Sequence, residues 1–403
     1  MINCKLRNKK IVILLVILIC VFSVLSPINT YCQTVTSVNQ VEQLNNSVIE
    51  ELNQIDFSGL NSVVLEFQNK KSNIFSLENI KSKVYSIISG ENAVSYSNFF
   101  ASLFSNIIEI ILKYLPMLSI IIAIGVLSNL LNGAKSKFNE KSTSNLIHLV
   151  CFLAVVILVI GIVTSISNST GNSIGSMVNQ MNVLFPMLLT LMVGIGANAS
   201  AGVFQPAVAI MSTYIADIFN YFIMPLFMAS FVFSIISNLS DNVKLDKFSS
   251  FISSLFKWSV GLIFTLFFAI FTIQGISAGS FDSIGIRTTK YTIKSYIPIM
   301  GGYLSDGMDL IMSSTILIKN AIGLVGVLII LTTILSPIIE IAIFGLLLKL
   351  VSAILQPLGN TKISSFLSST SKSTTILSTS IIATGFMYLI SVGLIMITTN
   401  VVV

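Results

Sequence analysis

Eight long apolar runs dominate this chain, at about Tyr114–Leu131, Leu146–Ile166, Val183–Ala201, Pro206–Ser237, Trp258–Ile276, Thr315–Leu335, Pro337–Leu355 and Ile376–Ile397. Most approach the ~20 residues a helix needs to cross the hydrocarbon core of a bilayer. Only 9% of the 403 residues are charged, against roughly 25% in an ordinary soluble domain, so lipid must act as solvent for much of the length. Lipid leaves backbone polar groups to satisfy one another, which a helix does within a single segment. The predicted fold is therefore all-α: a polytopic helical membrane protein with about seven or eight crossings.

Ahead of the runs the chain changes character. Lys5, Arg7, Lys9 and Lys10 precede an apolar stretch from Ile11 to Leu25, then Pro27 and Asn29-Thr30-Tyr31-Cys32. That pattern predicts a signal sequence over residues 1–32 that exports the region behind it. Residues 33–105 are polar, and Glu42, Glu50, Glu51, Asp56, Glu66, Glu78 and Glu91 lie there. Val35, Val38, Val41, Leu44, Val48, Leu52 and Ile55 recur at helical steps, and Asp56-Phe57-Ser58-Gly59 breaks the pattern. A second pattern, Leu77, Ile80, Val84, Ile87 and Ile88, comes after Ser76. The expectation is a small exported region of amphipathic helices, succeeded by a transmembrane domain over 106–403.

That domain carries signs of an internal repeat of about 110 residues. Pro116 precedes Ser128-Asn129-Leu130 by the interval at which Pro225 precedes Ser237-Asn238-Leu239, and Lys135 and Lys244 then align. The segment beginning Lys247-Phe248-Ser249-Ser250 is echoed by Lys362-Ile363-Ser364-Ser365, with Lys257 and Lys372 equally spaced behind and Pro337 ahead. The lysine loops 135–141, 244–257 and 362–372 are expected to share the cytoplasmic side. An exported amino terminus then needs an odd number of crossings before Lys135 and an even number between loops, leaving the carboxyl terminus outside.

Several chemistries are excluded by residue supply. His148 is the one histidine, so histidine triads and HExxH metal sites cannot be assembled. Cys4, Cys20, Cys32 and Cys151 are scattered without ligand spacing. Walker and Rossmann glycine patterns are absent, so no cofactor and no enzymatic role is expected, and any energy must come from a partner or an ion gradient. With Arg7 and Arg287 the only arginines, no nucleic-acid surface is visible. The partners expected are membrane lipids and other membrane proteins.

Ionisable residues inside apolar runs are costly and become candidates by default: Asp217, Lys319, Glu340 and Lys349. The small-residue stretch Gly194 to Gly202, through Gly196, interrupts its run and is a pathway or packing candidate. The stretch Gln274 to Asp309 is too polar for a lipid-facing helix. Within it Arg287, Lys290 and Lys294 share one helical face, predicting a basic amphipathic helix at the membrane interface. Gly275 and Gly279 form a GxxxG pair, and Pro298 with Gly301 and Gly302 marks a break before Asp306.

Gln274-Gly275, Arg287-Thr288-Thr289-Lys290, Pro298 with Gly301-Gly302, Asp306, Lys319-Asn320-Ala321-Ile322-Gly323 and Gln356-Pro357-Leu358-Gly359 resemble, in order and spacing, the stage III sporulation protein AE family of endospore-forming bacteria. The resemblance implies a mother-cell membrane protein around the engulfed forespore. It further implies a multiprotein channel or secretion-like complex that includes an ATPase subunit and a forespore partner across the intermembrane space. Among the motif residues, Lys319, Asn320 and Pro357 join the packing or pathway candidates on this basis.

Overall fold

The structure is a computed structural model that describes residues 38–70, 80–90, 96–134, 141–239, 245–298 and 300–400. The signal sequence expected at residues 1–32 lies outside them, as do Ser76, Leu77, Lys135 and Lys244. Every regular element among the described residues is a helix: α1 (Val38–Gln54), α2 (Ser58–Lys70), α3 (Ile80–Ile88), α4 (Tyr96–Ala134), α5 (Lys141–Gly194), α6 (Asn198–Ile218), α7 (Met224–Leu239), α8 (Asp246–Tyr296), α9 (Gly301–Leu355) and α10 (Thr361–Asn400). Contacts divide the chain between Gln43 and Leu44, and the helices pack together within the unit Leu44–Val403.

Among the described residues six helices are long and apolar enough to cross a membrane, fewer than the eight apolar runs. Two pairs of runs merge. Leu146–Ile166 and the start of Val183–Ala201 lie on one uninterrupted α5, and Thr315–Leu335 and Pro337–Leu355 lie on one α9 with Pro337 inside it. Pro225 acts more locally. It has no N–H for the carbonyl of Tyr221, and the turn just before it, Phe219–Ile223, widens to a π-helix.

The helices pair as antiparallel hairpins. On α9 and α10, Ser352 bonds Ser364, the Ser371 hydroxyl donates to the Gly345 carbonyl at 2.7 Å, and Lys319 reaches Met396, so one register holds along the whole length. On α6–α7 and α8, Phe204 meets Phe271 and Phe233 meets Phe248, again antiparallel. α4 runs parallel to α9, since Tyr114 meets Glu340 and Asn360 meets Gly125. The three proline-bearing helices that enter the lysine loops therefore point one way, and α5, α8 and α10 return.

Length decides how this bundle can sit in a bilayer. At 1.5 Å per residue, α5, α8 and α9 are each roughly 80 Å long, whereas the hydrocarbon core is ~30 Å thick. Exposed large apolar side chains lie beside the lysine loops, at Leu127 and Leu130 on α4, Val150 and Ile157 on α5, Trp258 and Leu266 on α8 and Leu346 and Leu350 on α9, and also at the opposite ends, at Phe100 and Phe104 on α4, Phe281 and Ile284 on α8 and Ile311 on α9. Between Ile160 and Val193 on α5, and between Leu317 and Leu346 on α9, no large apolar side chain is exposed. One bilayer therefore cannot cover these helices along their whole length.

The helices α1 to α3 pack on the half of the bundle away from the lysine loops. Val48, Leu52, Leu60, Val64, Ile80 and Val84 are buried in the same core as α5 and α9. The Glu51 carboxylate accepts from the hydroxyls of Ser314 at 2.6 Å and Thr315 at 3.0 Å on α9. Lys81 donates to Asn53 at 2.7 Å, tying α3 to α1. At the start of α2 the Ser58 N–H donates to Asp56 at 2.8 Å, and that backbone bond, aided by the Ser58 hydroxyl, holds the Asp56 carboxyl below its ordinary range.

Candidate packing and pathway site

The two stretches singled out in the sequence, Gly194 to Gly202 and Gln274 to Asp309, meet in space. α5 ends in a Schellman turn: the Ala197 N–H bonds the Met192 carbonyl and the Gly196 N–H bonds the Val193 carbonyl, both at 2.9 Å, with Gly196 at φ +85°. A left-handed residue is needed there, and glycine adopts it without strain. α6 then begins with Ala197 at its cap, which offers no side-chain acceptor. Its free amides are served from α8, where the buried Asp282 carboxylate accepts the Ala199 and Ser200 N–H groups, each at 2.8 Å. A carboxylate at a helix amino terminus also opposes the positive end of the helix dipole.

Above this joint α8 and α9 continue as a hairpin. Ile286 and Met312 form a small core of their own, and a Cβ added to Gly196 would lie 3.4 Å from Ile286. Lys290 pairs with Asp309 across the hairpin. At the turn, a Cβ on Gly301 would come within 2.5 Å of the Ile293 carbonyl oxygen, a backbone atom that cannot step aside. Pro298 and Gly302 are exposed, with open space around Gly302. The structure overturns the predicted interfacial helix. Arg287, Lys290 and Lys294 lie on the distal part of one helix whose Lys247–Ile273 segment is long and apolar enough to cross the membrane. An uninterrupted helix cannot cross a bilayer and also lie flat on it.

Other candidates separate into packing and surface positions. Gly275 faces Phe204 and Thr398, and Gly279 faces Thr398 with an added Cβ at 3.2 Å, so the GxxxG pair lets α10 approach α8. Lys319 is fully buried, and its amine donates to the Met396 carbonyl at 3.1 Å and to Ile395 at 3.4 Å in the last turns of α10. A cation at those carbonyls complements the helix terminus. Asn320 is half-buried beside it. Pro357 lies in the turn from α9 to α10, a second Schellman turn with Gly359 at φ +83°. Gly194, Gly202, Asp217, Arg287 and Asp306 are exposed. For Asp217 this places the carboxylate on the outer surface of the bundle, not between its helices.

Two buried carboxylates, one of them not singled out in the sequence, carry more of the architecture. One is Asp282. The other is Glu340 on α9, which accepts from Lys113 at 2.8 Å, Tyr114 at 2.7 Å and Ser169 at 3.3 Å. Asp282 had a signal available in the sequence, since a helix start at Asn198 without a capping side chain before it needs an acceptor from elsewhere. Among the described residues no group of three His, Cys, Asp or Glu side chains could hold a metal ion.

A family model described as Stage III sporulation protein AE matches residues 78–399. The chain is 24% identical to a curated relative, Stage III sporulation protein AE of Bacillus subtilis (strain 168), over 318 residues, which cover 79% of this chain and 80% of the relative. No solved structure matches.

Proposed function

The chain belongs to the stage III sporulation protein AE family, and from that premise we propose that this multi-pass membrane protein of sporulation is a permease-like or scaffold subunit of a mother-cell-to-forespore channel complex, needed after engulfment. It resides in the mother-cell membrane surrounding the forespore, with the lysine loops in the mother-cell cytoplasm. An ATPase from the same complex supplies energy, which accords with the absence of a nucleotide motif from the sequence. The observation that carries the reading is length. Helices of roughly 80 Å with α1 to α3 packed on their far half extend well past one bilayer, as a subunit meeting partners between two membranes requires. Gly194 to Gly202 and the α8–α9 hairpin are its packing core.

An in-frame deletion in the native spore former, tracked with a membrane dye and a late forespore reporter, tests it. Arrest after engulfment with small forespores and a silent reporter is expected, and normal spores would remove the assignment. A second reading, an independent ion-coupled transporter, is favoured by one observation, the buried Glu340 carboxylate. It requires Glu340→Gln to abolish sporulation at unchanged membrane abundance, whereas in a scaffold any loss of sporulation should track a loss of membrane abundance, because Glu340 holds Lys113 and Tyr114.

A further inference from the structure

The outward face of α6 carries a carboxylate among side chains suited to lipid. Ile210, Tyr214 and Asp217 are exposed and share an arc of about 60° at ~100° per residue. Tyr221, in the π-turn that follows, is exposed beyond them. Asp217 lies near the middle of the 42-residue span Asn198–Leu239, so a crossing of ~20 residues placed anywhere on it keeps that carboxylate inside the bilayer or at its headgroup edge. α8 presents the opposite charge. Any ~20-residue crossing within Lys247–Ile273 includes Lys257 and Trp258. Both are exposed, on the least buried of the six candidate spans. Neither Asp217 nor Lys257 has an ion-pair partner among the described residues, and an unpaired charge facing lipid is costly.

Depth decides which partner can relieve both charges. α6–α7 and α8 pack antiparallel, with Phe204 beside Phe271 and Phe233 beside Phe248. Between those two contacts Lys257 stands level with Tyr221, so the two charges differ in depth by about one helical turn, roughly 6 Å. Copies of one chain that associate side by side in a bilayer keep every residue at its own depth. Asp217 of one copy and Lys257 of another are then separated by the same single turn, which a lysine side chain spans. We propose that the face shared by α6 and α8 docks a second copy of this chain about a two-fold axis along the membrane normal, with Asp217 of each copy paired to Lys257 of the other. An isologous contact makes that pair twice. Tyr214, Tyr221 and Trp258 supply the packed area around it, and tyrosine and tryptophan are the residue types that anchor such interfaces.

The test is energy transfer between full chains labelled at their carboxyl termini with donor or acceptor, in liposomes over a series of protein-to-lipid ratios. Wild-type chains should associate. Asp217→Lys and Lys257→Asp should each weaken association by about tenfold or more. Both changes in one chain should restore it to within about threefold, because the pair re-forms with its signs exchanged. Should the charge-reversed chains fail to insert, disulfide trapping carries the test. In chains with the four native cysteines replaced by serine, a Tyr221→Cys copy mixed with a Trp258→Cys copy should give a mixed dimer under a copper–phenanthroline oxidant, since a disulfide forms only between closely apposed backbones. Wild-type chains that stay monomeric at every ratio would overturn the proposal. So would single reversals without effect, a double reversal that does not recover, or the absence of the mixed dimer. Energy transfer seen only after fusion with membranes of the native spore former would mean that another protein occupies the face, and would overturn it as well.

Discussion

At Gly196 a left-handed backbone ends α5 and turns the chain toward α6, so the residue's worth lies in its φ of +85° and in its approach to Ile286. A non-glycine residue there costs roughly 1–2 kcal/mol in backbone conformation alone. Gly202 lies six residues on, helical and with open space about its Cα, where alanine should be neutral or stabilise by up to ~1 kcal/mol. Thermal unfolding of the purified protein in detergent should show Gly196→Ala melting lower and Gly202→Ala melting unchanged or higher. Equal shifts would mean that the stretch acts through smallness alone. This separation was not legible in the sequence, where both are glycines in one small-residue stretch. Asp217 and Asp282 are confused in the same way. The first sits in an apolar run and is exposed, while the second sits in a polar run and is buried at the α6 amides. Hydropathy reports the neighbours along the chain, whereas burial depends on neighbours across it.

The helices were legible where one face alone is apolar. The spacing of Val48 and Leu52 predicts α1, the Asp56–Gly59 break separates it from α2, and both leucine and valine are buried. The polar stretch of α5 misleads for a physical reason: Ser167, Thr170, Ser173 and Gln180 are buried polar residues inside a helix, with Gln180 donating to Thr333 at 2.7 Å, and windowed hydropathy takes such a stretch for a boundary. Whether the exported helices fold on the bundle or await a partner could not be decided from their pattern, and Glu51 decides it by reaching Ser314 and Thr315. Hydrogen bonds to a charged group are worth about 1.5–3 kcal/mol. In Glu51→Ala, hydrogen exchange of the α1 amides from Leu44 onward should quicken by about tenfold or more, with α9 unchanged because both hydroxyls also donate to the Ile311 carbonyl. Unaltered α1 exchange would mean that the buried apolar contacts alone hold the helix.

For the whole molecule, the order of helices supplies a parity that the apolar runs alone leave open. α4 leads into the first lysine loop, α5 and the joined α6–α7 lie between the first and second, α8 and α9 between the second and third, and α10 comes last. One crossing, then two, then two, then one matches the odd and even counts that the positive-inside arrangement requires. It also puts the hairpin turns at Gly196 and Pro298 on the side of α1 to α3, where Glu51 meets α9. Eight separate crossings would count one, three, three and one and break the even number required between loops, so the merging of the runs on α5 and α9 is what satisfies the rule, and it can be tested directly. In a chain with its native cysteines replaced by serine, a cysteine at exposed Lys362 or Lys372 should react with a membrane-impermeant maleimide only after the cell is opened. One at exposed Tyr296 or Tyr303 should react in intact protoplasts. The decisive position is Asn198, exposed at the start of α6 past the end of α5. If α5 is one helix crossing once, a cysteine there is reached from the side opposite the lysine loops; labelling from the cytoplasmic side alone would mean that the chain turns back between Ile166 and Val183, and the three-hairpin arrangement would fall with it.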